Sequence, residues 1–254
     1  MTLPKTILIT GATSGFGAAL ARLCAAKIDG VNLILTGRRA ERLDALKAEL
    51  NCDVHTLVQD ITDTEQVYED IKGLPAPFNE VDCLINNAGA ALGVAPFQEA
   101  DQADIDGMIN TNIRGLTHMT RAVLPGMIER KRGYIINIGS VAGTYAYPGG
   151  NVYCGTKSFV NHFSKVLRAD LKGKNVRVTS VEPGAVETEF SVVRYEGDQD
   201  KAAALYKTHR SLTADHIANT LFWLISQPEE MNVNQIEIMP TDQSFAGFDY
   251  TDAA

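Results

Sequence analysis

Tyr153 and Lys157 stand four positions apart in Asn151-Val152-Tyr153-Cys154-Gly155-Thr156-Lys157, and Ser140 precedes Tyr153 by thirteen positions. On a helix, residues i and i+4 share one face, so the spacing would set an ammonium beside a phenol. A free tyrosine titrates near pH ~10, too high for a base at neutral pH. A fixed neighbouring cation favours the phenolate. Bringing the phenol to about pH 7 takes roughly 4 kcal/mol of differential stabilisation. A phenol tuned in this way exchanges a proton with an alcohol or a carbonyl oxygen. The same spacing also occurs on solvated helix faces, and Ser140 after a strand could be only a cap or turn residue. The surrounding elements decide between these readings.

The first element is a β-branched apolar run ending at Thr10, followed by Gly11-Ala12-Thr13-Ser14-Gly15-Phe16-Gly17 and then a strongly helix-forming stretch. Strand, glycine-rich turn and helix is the context of a dinucleotide-binding loop. Glycines let the backbone approach a pyrophosphate closely, and a helix N-terminus offers it free N–H groups and a positive dipole end. An oxidised nicotinamide would add a second positive charge near the phenol. The second strand, Val31 to Thr36, leads into Gly37-Arg38-Arg39, where an NAD enzyme usually carries an acidic residue for the ribose 2′-hydroxyl. Two arginines in that place suit a 2′-phosphate, which points to NADP. The plainer alternative is that Arg38 and Arg39 open a solvated helix.

Strand-like runs cover Thr6–Thr10, Val31–Thr36, Val54–Val58, Val81–Asn86, Gly133–Ile138, Val176–Glu182 and Gln235–Met239. Helical stretches are expected at 15–27, 39–50, 63–72, 101–130, 153–172 and 213–227. The alternation predicts one α/β domain over 1–254, a Rossmann-like doubly wound parallel sheet of seven strands with helices on both faces. Ligands of such sheets bind beyond the carboxyl ends of the strands. Gly11, Asn87, Ser140 and Pro183 each follow a strand and so fall on that one edge. The insertion near 184–211 is long for a connection in a compact domain, which suggests a lid over the cleft.

The 254 residues suffice for one domain with a real core. A net charge of −8 argues against a nucleic-acid role. Cys24, Cys52, Cys83 and Cys154 form no Cys-x-x-Cys pair and read as free thiols of a reducing compartment. Cys154 is expected to point away from the Tyr153 face. The five histidines lack metal-ligand spacing, so no metal is expected. Neither a signal peptide nor a membrane span is evident, and the expected location is cytoplasmic.

Taken together, Thr10 to Gly17, Asn86-Asn87-Ala88-Gly89, Asn112, Ser140, Tyr153 and Lys157 resemble the short-chain dehydrogenase/reductase family in order and spacing over nearly the whole chain. The likeness is greatest to the NADP-dependent 3-hydroxy acid dehydrogenases, through Ala122 to Met127, Tyr134 to Ser140, Pro148 to Tyr153, Thr188 to Ser191 and Met239-Pro240. The resemblance implies that Tyr153 is the acid/base, that Lys157 lowers its pKa and binds the nicotinamide ribose, and that Ser140 hydrogen-bonds the reacting oxygen. It implies that Asn112 holds a water linking Lys157 to solvent, although Asn112 could equally be a mid-helix kink residue. Asn87 would line the cofactor cleft, Asp60 and Ile61 would border the adenine, and Pro183, Gly184, Val186 and Thr188 would meet the nicotinamide end.

The implied activity is NADP-dependent interconversion of small 3-hydroxy acids and their 3-oxo acids or semialdehydes. Sulfoacetaldehyde or a similar anionic aldehyde is an alternative substrate, and a non-catalytic nucleotide sensor is a remote alternative. The substrate anion calls for a cation, and Arg194, Lys201, Lys207 and Arg210 lie in the insertion, with Arg194 the first choice. A surface or interface ion pair is an equal reading of Arg194. Tyr147 and Gly149-Gly150 would shape the pocket or merely its entry turn. Relatives form tetramers through the two long helices, so a homotetramer is implied.

Overall fold

The computed structural model describes residues 3–195, 197–204, 206 and 210–244. Strands β1 (Thr6–Ile9), β2 (Asn32–Gly37), β3 (Asp53–Val58), β4 (Cys83–Asn86), β5 (Gly133–Ile138), β6 (Val176–Pro183) and β9 (Gln235–Ile238) form a seven-stranded sheet in the order β3-β2-β1-β4-β5-β6-β9. Every neighbouring pair is parallel. A further pair, β7 (Val186–Glu187) and β8 (Leu212–Thr213), forms a separate two-stranded parallel ladder. The strand order reverses at β1, which lies between β2 and β4, and a crevice opens at such a switch point.

Side-chain alternation along the strands divides the core into two layers. Ile7, Ile9, Leu33, Leu35 and Ile85 face α1 (Gly15–Lys27), α2 (Ala40–Glu49) and α9 (Ala214–Ile225), through Leu20, Cys24, Leu43, Leu221 and Leu224. Leu8, Ile34, Leu84 and Ile135 face α3 (Thr64–Lys72), α5 (Leu116–Glu129) and α6 (Asn151–Asp170), through Val67, Met119, Met127 and Leu167. Burying one such aliphatic side chain contributes roughly 1.5–3 kcal/mol. The sheet edge carrying the site is therefore held from both faces.

Two helix expectations need correction. The stretch expected as one helix over 101–130 is α4 (Gln102–Ile109), a π-helical turn (Asn110–Gly115) and then α5. Asn112 lies within this widened turn, and its side chain bonds outside the helix, to Ala90 and Thr156. The helix expected to begin at Tyr153 begins at Asn151, whose side chain donates to Ala95 O at 2.9 Å. In the insertion, α7 (Glu189–Arg194) and α8 (Gln199–Ala204) lie between β7 and β8. Among the described residues, no helix is long and apolar enough to cross a membrane.

Candidate active site

The glycine loop is pressed against the end of β4. Gly11 has φ +64°, and a Cβ there would lie 2.9 Å from Ala88 Cα. Asn87 donates its side-chain amide to Thr10 O at 2.8 Å and to Gly11 O at 3.1 Å. A Cβ at Gly17 would come within 2.8 Å of that same amide, so α1 can pack here only through glycine. Thr10 Oγ1 accepts from the backbone N–H groups of Asn87 and Ala88 at 3.0 and 2.9 Å and so locks the two loops together. Ser14 caps α1 with extended backbone and makes no side-chain cap bond, leaving the first-turn N–H groups for a phosphate.

At the end of β2, Arg39 spans from α2 back to this loop. It donates to Thr13 Oγ1 at 2.8 and 3.3 Å and to Ser14 Oγ at 3.1 Å. No carboxylate follows β2, and the two guanidinium groups with the hydroxyls of Thr13 and Ser14 fit the charge and donor needs of an adenosine 2′-phosphate. Asp60 folds onto its own turn, accepting from the N–H and hydroxyl of Thr62 at 2.9 and 2.8 Å.

The catalytic candidates gather beyond β5. Ser140 is buried; its Oγ accepts from Ala142 N at 3.1 Å and donates to Pro183 O at 3.3 Å. Asn161 holds the Ser140 carbonyl from α6 at 3.2 Å, a support the sequence reading missed. Lys157 donates to Ile138 O at 2.7 Å, with Nζ 5.9 Å from the centre of the Tyr153 ring. Asn112 accepts from Ala90 N at 2.8 Å and donates to Ala90 O at 2.8 Å and to Thr156 Oγ1 at 3.0 Å. The position a Cβ would take at Gly89 is 3.3 Å from Asn112 Oδ1 and 3.6 Å from Lys157 Nζ, so these two groups border one small space.

The electrostatics differ from the simple lysine–phenol picture. Burial pushes the Tyr153 hydroxyl well above its ordinary range; a hydrogen bond with Ser140 and the charge of Arg194 pull it back down. Burial alone lowers Lys157 to about 8. Tyr153 is thus held as the neutral phenol, while Lys157 keeps its charge at neutral pH but gives up its proton more readily than a free lysine, in a buried setting where a nearby charge acts strongly.

Of the residues singled out from sequence, Gly11, Thr13, Ser14, Gly15, Phe16, Arg38, Arg39, Asp60, Ile61, Asn87, Ser140, Tyr147, Tyr153, Lys157, Pro183, Gly184, Val186, Thr188 and Arg194 line one cavity of about 990 Å³. Gly17 and Asn112 support its wall. Arg194 donates to Tyr147 Oη at 3.1 Å and lies 5.9 Å from the centre of the Tyr153 ring. The other insertion cations are spent on surface pairs, Lys201 with Asp198 and Arg210 with Asp242, while Lys207 lies outside the described residues. Cys154 is not among the cavity-lining residues; its thiol lies against Tyr147, and burial raises its pKa. The sequence reading also missed Glu189, Phe190, Tyr206 and Gln243 on the cavity wall. Gln243 Oε1 accepts from Ala185 N at 2.7 Å, and no spacing signal ties these residues to the cleft.

A parallel sheet with a glycine loop at its switch point and a Ser–Tyr–Lys cluster beyond β5 defines a class of oxidoreductase. The pattern of the short chain dehydrogenase family matches residues 5–199, and the chain belongs to that family. It is 54% identical over 243 residues to a serine 3-dehydrogenase of Rhizobium radiobacter, covering 96% of each chain. It is 50% identical over 242 residues to an NADP-dependent 3-hydroxy acid dehydrogenase of Salmonella typhi, covering 95% of this chain and 97% of that one. The closed form of a serine dehydrogenase complexed with NADP+ superimposes with a TM-score of 0.95 at 46% identity, covering 98% of this chain and 100% of that one.

Proposed function

We propose that this chain is an NADP-dependent 3-hydroxy acid dehydrogenase, interconverting small 3-hydroxy acids with their 3-oxo acids or semialdehydes. One observation carries the reading: Tyr153, Ser140 and Arg194 meet in the same cavity whose far end is lined by Arg38 and Arg39. When bound, NADPH would supply the hydride in reduction and NADP+ would accept it in oxidation. Tyr153 gives its proton to the forming alkoxide in reduction and takes it back in oxidation. Ser140 donates a hydrogen bond where charge develops on the reacting oxygen. Lys157 holds positive charge beside the phenol and returns its proton through the space shared with Asn112. Arg194 binds the substrate carboxylate and orients it against Tyr147.

The relatives named above support the substrate class, and the cation inside the cavity supports an anionic substrate. Steady-state assays with serine, allo-threonine, 3-hydroxypropionate, sulfoacetaldehyde and a neutral aldehyde, each with NADP(H) and NAD(H), test the reading. Turnover of the hydroxy acids with NADP+ is expected. Preference for the neutral aldehyde or for NAD(H) would overturn it.

The protein assembles as a homotetramer. The exposed apolar positions Phe159 and Val166 on α6, with Phe159 stacked on Phe163 at 5.7 Å, support this reading, and light scattering giving four chain masses tests it. It acts in the cytoplasm; four free cysteines, two of them fully buried, support a reducing compartment. The single domain spans 1–254, with 184–211 as its lid.

A further inference from the structure

The insertion carries a carboxylate to the opposite lip of the cleft. Glu189 opens α7 and binds Arg42 of α2 through both oxygens, at 2.7 and 2.9 Å, across 147 positions of sequence. Its contact with Arg39 is longer, at 3.3 Å. Arg39 and Glu189 line the cavity, whereas Arg42 is outside the lining. The other end of α7 carries Arg194, bonded to Tyr147 at the reacting end of the same cavity. Between them Phe190 packs 5.9 Å from the Tyr153 ring. The helix is therefore tied down at both ends, once beside the substrate and once beside the adenosine end.

We propose that the Arg42–Glu189 pair is a clasp that closes the lid helix over the bound dinucleotide and slows its release, while Arg39 is left to recognise the 2′-phosphate. The two arginines divide the work by geometry. Arg39 is already committed to Thr13 and Ser14 of the phosphate loop, and its bond to Glu189 is the weaker one. Arg42 has no bond to that loop and holds Glu189 alone at short range. Glu189 ordinarily titrates lower here because Arg42, first, and Arg39 hold it as the anion. An acid in the first turn of a helix is common for dipole reasons, but α7 has six residues and the partner lies on another element. The clasp rests on the NADP reading only in that a dinucleotide fills the cleft; its action does not depend on the 2′-phosphate.

The side chains of Arg42 and Glu189 are 42% and 50% exposed, so the effect is modest. Removing an exposed pair of this kind changes an equilibrium by roughly threefold to fivefold. The test uses Arg42→Ala, Glu189→Gln, the double variant, and the reversed pair Arg42→Glu with Glu189→Arg. NADPH release is followed by its fluorescence after a chase with excess NADP+, and dissociation constants are titrated for NADPH and NADH. The expected result is NADPH release about threefold to fivefold faster in either single variant, no faster still in the double variant, and slowed again in the reversed pair. The NADPH-to-NADH affinity ratio is expected to stay within twofold of the parent, whereas Arg39→Ala collapses it. Unchanged release in both single variants would overturn the clasp. So would additive effects in the double variant, or tighter NADPH binding in Glu189→Gln, which would make Glu189 a competitor of the phosphate instead. Loss of the parent's own preference for NADPH over NADH would count against the cofactor reading and leave the clasp standing.

Discussion

Lys157 Nζ donates to the carbonyl of Ile138 at 2.7 Å, so the ammonium of the α6 helix is moored to the end of β5 from which Ser140 departs. Its pKa is lowered to about 8 by burial. A lysine depressed in this way costs stability while it is charged. Below its folded pKa both states are protonated and the penalty is complete. As pH rises from about 8 towards the unfolded value, only the unfolded state keeps the proton and the folded state gains. Compared with Lys157→Met, the parent should gain roughly 3 kcal/mol between pH 8 and 10.5. Chemical denaturation of both proteins across that range checks it, and parallel curves would refute the assignment.

Tyr153→Phe removes the hydroxyl proposed as the proton donor but little packing. Turnover should fall by about 10²–10⁴-fold, with NADPH affinity within about twofold of the parent. Single-turnover kinetics and fluorescence titration separate the two readouts. Residual activity above a tenth of the parent would count against the acid/base role.

Arg39 touches the phosphate loop, and Arg38 shares the cavity wall. Replacing both with Ala should raise the NADPH KM by about 10–100-fold, the range of one or two charge-assisted hydrogen bonds, and leave the NADH KM nearly unchanged. Equal effects on the two cofactors would remove the 2′-phosphate assignment.

Arg194→Met should raise KM for a 3-hydroxy acid by about tenfold or more and spare a neutral aldehyde of similar size. A uniform loss for both substrates would mean that Arg194 only holds Tyr147 and the lid.

Asn112 is buried, and its three hydrogen bonds join the loop after β4 to α6. Asn112→Ala strands the Ala90 amide and carbonyl and should cost about 3 kcal/mol, lowering Tm by roughly 5–10 °C. Calorimetry checks this. A loss of kcat larger than the loss of folded protein at the assay temperature would support its share in the proton path.

Much of the fold was legible because buried parallel strands are apolar, short and separated by helix-length segments. All seven strands of the main sheet were found, and their ends differ by one or two residues, as at Thr10 and Val31, where hydrogen bonding and apolar character part company. The site residues nearest the strand ends were legible for the same reason: topology delivers them to one edge. The π turn was not, since one extra residue leaves the apolar period over 101–130 almost unchanged. The Arg42–Glu189 contact was not either, because 147 positions separate its partners and neither stands in a motif. The contact of Cys154 with Tyr147 was not legible either, because Tyr147 folds back onto it from the entry turn.

The six-residue widening from Asn110 to Gly115 bears on how such a chain tolerates change. Deleting a single residue there would yield a more regular and locally better-bonded rod. The widened turn takes up its extra residue locally, so α4 and α5 would keep their faces towards the sheet, but Asn112 would lose the position from which it reaches Ala90. Shortening that helps the local backbone would thus dismantle the centre, so this stretch should refuse length variation while the surface connections accept it.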